Sequence, residues 1–112
     1  MSKKRMDGKL FTQDLIDKVW EKADIVFGVD PKIFRKDKCG AWIKKDQYGK
    51  SHANSTMAWE IDHIKPFSWG GTDELSNLQA LQYNNNEQKN DQYPFWSCTV
   101  KSVEHTNQFI NS

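Results

Sequence analysis

A small α+β fold is predicted for this 112-residue chain, and three observations predict it. Apolar residues between Leu15 and Val26 recur at helical spacing. Two short β-like runs, residues 57–61 and 78–81, flank a segment with Pro66 and the pair Gly70-Gly71, which must be a loop. A polar stretch from Asn84 then runs up to Tyr93-Pro94, where a helix must stop. The expected order is an amphipathic helix, a β-hairpin around a long loop, and one closing helix.

Residues 1–10 are polar without a pattern and are expected to fray. Thr12 suits an N-cap and Gly28 a C-terminal cap, which bounds the first helix at about residues 13–27. Its stripe of Leu15, Ile16, Val19, Trp20, Ala23 and Val26 reads as core packing. Asp30-Pro31 starts a short helical turn reaching Phe34 or Arg35. Cys39-Gly40 turns the chain into the β-like run Ala41-Trp42-Ile43, and residues 46–55 form a polar connection. In the strand at 57–61, Trp59 and Ile61 alternate with Ala58 and Glu60, a half-buried pattern. Glu60 and Asp62 lie two apart, hence on one face. Glu60 is either a further metal ligand or, the preferred reading, the ion-pair partner of an Arg such as Arg35.

The last helix is expected to start near Asn84, its cap, with Glu87 as the acidic member of a capping box. Asn86 falls in the first turn and Lys89 one turn on, on the same face. Three consecutive Asn are poor helix formers, so helix stability does not account for them. Phe95 and Trp96 read as packing residues, and residues 102–112 carry no informative pattern. His52 and His105 read as packing or surface residues.

Composition bounds the rest. The length suits one domain, and 37% hydrophobic residues with five Trp indicate a folded core. No run of about 18 apolar residues could span a membrane, and no apolar segment follows the basic start as a secretory signal requires. Cys39 and Cys98 are too few for a four-ligand zinc site. Without a secretory signal they are expected to stay reduced, in a cytoplasmic protein. Net charge is +1, but residues 1–50 hold 13 Lys or Arg against 8 Asp or Glu, and residues 51–112 hold 3 against 7. Residues 32–50 are the most basic part and include Arg35, Lys44 and Lys45. That cluster is either a phosphate footprint or a solvated face that keeps the domain soluble.

The segment 59–89 carries the chemistry. Asp62-His63-Ile64, Pro66 with Gly70-Gly71, Asn77-Leu78, and Asn86 with Lys89 resemble, at matching spacing, the pattern of the HNH endonucleases, or ββα-metal nucleases. The resemblance covers about a quarter of the chain. It implies a ββα-metal core at 56–92, after an N-terminal helix and basic segment (1–55) and before a C-terminal tail (93–112), all within one nuclease domain. It also implies His63 as general base, Asp62 and Asn86 as ligands of one Mg²⁺ or Mn²⁺, and Asn77 either orienting His63 or tying the loop. Lys89 is read as a phosphate contact or a solvated helix residue, and Lys44, Lys45 and Arg35 as further nucleic-acid contacts. Many members hold a structural zinc with Cys pairs. Here Gln82 and Asn85 stand at such positions, so no structural zinc is expected.

Those residue types suit phosphodiester hydrolysis. An anionic phosphate repels nucleophiles until a cation neutralises it, and the leaving oxygen needs a Lewis acid or a proton. Carboxylate and amide oxygens suit a hard cation, and an imidazole takes a proton from water near neutrality. The expected substrate is DNA, the nucleic acid this family most often cuts. The alternatives are an RNA-cleaving toxin-type nuclease and a nucleic-acid-binding module that has lost cleavage.

Overall fold

In the computed structural model of the protein, which describes residues 4–50 and 57–110, two helices and three short antiparallel strand pairs build the α+β class expected. His52 lies outside the described residues. Helix α1, Gln13–Trp20, starts where its cap predicts: the Thr12 hydroxyl accepts the Leu15 N–H at 3.2 Å. It ends well short of Gly28 because a strand pairing claims the next stretch of backbone. Asp24 exchanges two hydrogen bonds with Lys36, at 2.9 and 3.0 Å. Leu15, Ile16, Val19, Trp20 and Ala23 still face the core, while Phe27 is exposed.

Arg35 gathers the carbonyls of the turn that follows α1. Its guanidinium donates to Glu21 O and Ala23 O at 3.1 Å, and its Nε to Pro31 O at 2.9 Å. Both of the first two carbonyls lie past Trp20, the last helical residue, so the buried Arg ties down the turn that leaves the helix. Arg35 sits in strand β1, Phe34–Lys36, rather than in the helical turn expected from Asp30-Pro31. β1 pairs with β2, Trp42–Lys44.

Strands β3, Trp59–His63, and β4, Leu78–Gln82, form the central hairpin, with Trp59 opposite Gln82 and His63 opposite Leu78. β3 lies two residues later than its apolar run suggests, so Asp62 and His63 are within the strand. All five of its residues are buried, not every second one. Trp59 and Ile61 pack with α1, and Trp59 meets Trp20 at 5.3 Å between ring centroids. Glu60 and Asp62 on the other face are covered by helix α2, Tyr83–Lys89. Alternation in sequence marks a strand with one wet face; here both faces are covered.

α2 follows β4 without a connection. Its cap is Gln82, not Asn84: the Gln82 amide oxygen accepts the N–H groups of Asn84 and Asn85 at 2.8 and 3.1 Å. Gln82 and Asn85 also complete a buried polar centre around Asp37. The Asp37 carboxylate accepts the N–H groups of Cys39, Ala41 and Gln82 and the Asn85 amide, all at 2.9–3.0 Å. Burial raises the Asp37 carboxyl above its ordinary range, and those four donors oppose the rise. Asn85 reaches onward as well, its oxygen accepting the N–H groups of Thr99 and Val100, each at 2.9 Å.

Both ends of the chain depart from expectation. Residues 4–10 form a turn closed by Arg5 N–H to Lys9 O at 2.8 Å, rather than a frayed lead. The C-terminal segment is a hairpin, β5 at Val100–Val103 with β6 at Thr106–Phe109. Asn107 docks it by donating to Trp42 O at 2.9 Å and accepting Trp42 N–H at 2.7 Å, a side chain imitating a strand neighbour. The cysteines, expected reduced, are joined as Cys39–Cys98 across 59 residues of sequence. In the chain-entropy account, closing a loop of that size stabilises by about 4 kcal/mol. Among the described residues no helix is long and apolar enough to cross a membrane.

Candidate functional site

The long connection between β3 and β4 is held by Asn77. Its oxygen accepts Lys65 N–H at 2.9 Å, and its amide donates to Lys65 O at 3.0 Å and Thr72 O at 2.8 Å. One side chain thus ties both ends of the loop, and these bonds go to the loop, not to the His63 ring. The glycine pair serves the same closure in two ways. Gly70 adopts φ +86°, which favours glycine. Gly71 has no room for a side chain, since a Cβ there would lie 1.6 Å from Lys65 O.

The closed loop brings Asp73 to His63, with Asp73 Oδ1 2.7 Å from His63 Nε2. Asp73 itself accepts the Met6 N–H, at 3.2 Å to Oδ1 and 3.1 Å to Oδ2. Sequence reasoning missed Asp73. Its only signal is an acidic residue placed between Gly70-Gly71 and Asn77. Phe11 flanks the imidazole at 6.0 Å between centroids.

Neighbouring strand residues point to opposite faces, so Asp62 faces α2 instead. Its carboxylate accepts from Gln79 Nε2 at 2.9 Å, and both its oxygens lie 3.2 Å from Lys89 Nζ. The same ammonium donates to His63 O at 2.9 Å. Burial raises the Asp62 carboxyl, while Gln79 and Lys89 oppose the rise. Asn86, one turn before Lys89, directs its amide at Glu60 Oε2, 3.4 Å away. Glu60, Asp62, Asn86 and Lys89 are each 1% exposed.

The structure therefore brings Asp62, Asn86 and Lys89 to one interface and places the His63 ring across the strand from them. Lys89 lies inside the protein rather than at a solvent-facing phosphate, and Arg35 is likewise internal. The Arg35–Glu60 pair read from sequence is replaced by Arg35's bonds to carbonyls. Lys44 and Lys45 remain near the surface. With Lys32, Gln13 and Tyr48 they line an open cavity of about 470 Å³, where Lys45 also pairs with Asp17 at 3.4 Å.

The donor set between β3 and α2 fits a hard cation: a carboxylate at Asp62 with an amide at Asn86, the oxygen chemistry Mg²⁺ and Mn²⁺ take. A positive group already stands there, since the Lys89 ammonium is held by three oxygens, two from Asp62 and one from His63. In comparison with known families, the model described as HNH endonuclease matches residues 39–92. That span contains β2 to α2 and every residue of the Asp62 and His63 clusters except Met6 and Phe11. Comparison with curated proteins and with solved structures gives no match.

Proposed function

We propose that this chain, whose residues 39–92 match the HNH endonuclease family model, is a metal-dependent nuclease that hydrolyses phosphodiester bonds of DNA. The observation that supports the proposal is that Asp62, His63 and Asn86 all lie in the segment the family match covers, with Asp62 and Asn86 buried between β3 and α2. In this reading His63 takes a proton from the attacking water. Asp62 and Asn86 hold one Mg²⁺ or Mn²⁺, which when bound neutralises the scissile phosphate and stabilises the leaving oxygen. Because Asp62 and His63 leave β3 on opposite faces, this reading puts the phosphate at the end of the strand where the loop begins, and both side chains, 1% and 5% exposed, must be uncovered to meet it. Asn77 acts through the loop: it fixes the segment that carries Asp73 and touches no reacting atom.

A plasmid-nicking assay with Mg²⁺, with Mn²⁺ and with EDTA tests this. Nicking that EDTA abolishes and either metal restores is expected. Intact plasmid under all three conditions, with DNA still bound, would establish the second reading, a nucleic-acid-binding module without cleavage. One observation favours that reading: Asp62 is already neutralised by a buried ammonium. RNA offered in the same assay tests the toxin-type alternative.

Lys44 and Lys45 form the proposed phosphate footprint, now without Arg35 and Lys89, which the fold uses internally. The charge-reversed variant Lys44→Glu/Lys45→Glu should bind DNA more weakly at every sequence. Its salt dependence should be shallower by roughly one unit of log–log slope per lost phosphate contact. Equal affinity and slope in a salt titration would return both lysines to a solvating role. A cytoplasmic location belongs to the same proposal, and the disulfide weighs against it, since the cytosol keeps thiols reduced.

A further inference from the structure

We propose that Asp73 is the positioning residue of the site: it fixes the imidazole of His63 with its proton on Nε2, so that Nδ1 carries the lone pair that accepts the proton from water. The inference rests on the reading of His63 as general base. Its geometric part stands on the Asp73–His63 contact alone.

The contact is 2.7 Å, within the range of a charge-assisted N–H···O⁻ bond. An ionised carboxylate can only accept, so Nε2 must donate, and in the neutral ring the lone pair then belongs to Nδ1. Turning the ring over would place a carbon, Cε1, against the carboxylate, and moving the proton to Nδ1 would place a bare nitrogen there; either loses the bond.

The carboxylate is itself held from two directions. Its oxygens both accept the Met6 N–H, so the N-terminal turn supports it from one side. Asn77 pins the neighbouring Thr72 carbonyl at 2.8 Å from the other. The His63 and Asp73 side chains are 6% and 21% exposed, so little water competes for the bond. A contact that served only to attach the loop to β3 would need any hydrogen bond. It would not need a carboxylate, itself held by the Met6 N–H, aimed at a ring nitrogen.

The test is nitrogen NMR of the His63 ring in the intact protein, at a pH where the ring is neutral. Single-turnover cleavage, DNA affinity and thermal unfolding are measured alongside for Asp73→Ala and Asp73→Glu. The parent should show the Nε2–H tautomer. In Asp73→Ala the two tautomers should mix, and cleavage should fall about 10- to 100-fold, taking the cost of losing a partner that orients a metal-bound histidine as the guide. DNA affinity should stay at the parental value, and Asp73→Glu should recover part of both the tautomer and the rate. An Nδ1–H tautomer in the parent, or a tautomer and rate that Asp73→Ala leaves unchanged, overturns the proposal. His63→Ala in the same assay separates that failure from failure of the underlying reading, which alone would leave His63→Ala as active as the parent.

Discussion

His63→Ala should cleave DNA about 10²- to 10⁴-fold more slowly than the parent, the usual size of general-base catalysis, while binding metal and DNA as before. The imidazole lies across β3 from Asp62, so removing it takes no oxygen from the cation site. Asp62→Ala should fail differently. It removes the one charged ligand and strands the Lys89 ammonium, so metal binding should go with cleavage, and added Mg²⁺ should recover little. Asn86→Ala removes a neutral oxygen, and more Mg²⁺ or a change to Mn²⁺ should restore part of the rate. Asn86→Asp should retain activity, because a carboxylate can replace the amide oxygen. Calorimetric metal titration beside nicking rates for the four variants reads all of this. Loss of metal binding in His63→Ala, with binding kept in Asp62→Ala, would invert the assignment and make His63 a ligand.

What could be read from the sequence was local or periodic. Thr12 acts three residues along its own chain, and the run before Asp62 pairs with the run after Asn77 because both carry strand character and the glycines between them permit closure. Burial is not local, and most differences come from it. Arg35 and Lys89 looked like surface cations in polar stretches. The fold instead gives Arg35 the carbonyls of the turn after α1, and gives Lys89 a carboxylate and a carbonyl on the facing strand. Asp37 looked like a minor acid in a basic segment, yet it gathers four N–H donors from β4, α2 and its own turn. This network includes Gln82 and Asn85, which the sequence reading took only as standing where a cysteine pair for zinc is missing. Asp73 was invisible for the opposite reason: its partner in sequence is a loop, and its partner in space is His63. Cys39 and Cys98 could be paired only once the C-terminal hairpin was known to fold back onto β2.

Lys89→Met should destabilise the protein by about 3–5 kcal/mol, the cost of breaking a buried ion pair from one side. The pair is not worth that much in itself: attraction between the two charges mostly offsets their desolvation. The loss comes from what remains, since Asp62 is 1% exposed and would keep its charge with Gln79 as its one described side-chain donor. Two consequences distinguish this origin from lost packing, which the methionine largely preserves. The first is pH dependence. Burial already raises Asp62 above the ordinary carboxylate value, and removing Lys89 takes away an opposing influence. The native state then holds the Asp62 proton more tightly than the unfolded chain does. Between the ordinary carboxylate pKa and that raised value, stability therefore grows as pH falls, and the deficit of Lys89→Met should shrink on acidification. The second is metal. If Asp62 is the charged ligand proposed, Mg²⁺ or Mn²⁺ can supply the missing positive charge, so either should raise the melting temperature of Lys89→Met more than that of the parent. Adding Asp62→Asn to Lys89→Met should recover part of the lost stability, because the stranded charge is gone, and it should erase the metal effect. Chemical denaturation across pH with the single and double variants measures each quantity. A Lys89→Met protein within about 0.5 kcal/mol of the parent, the range of surface substitutions, would mean that Lys89 is not the buried partner of Asp62.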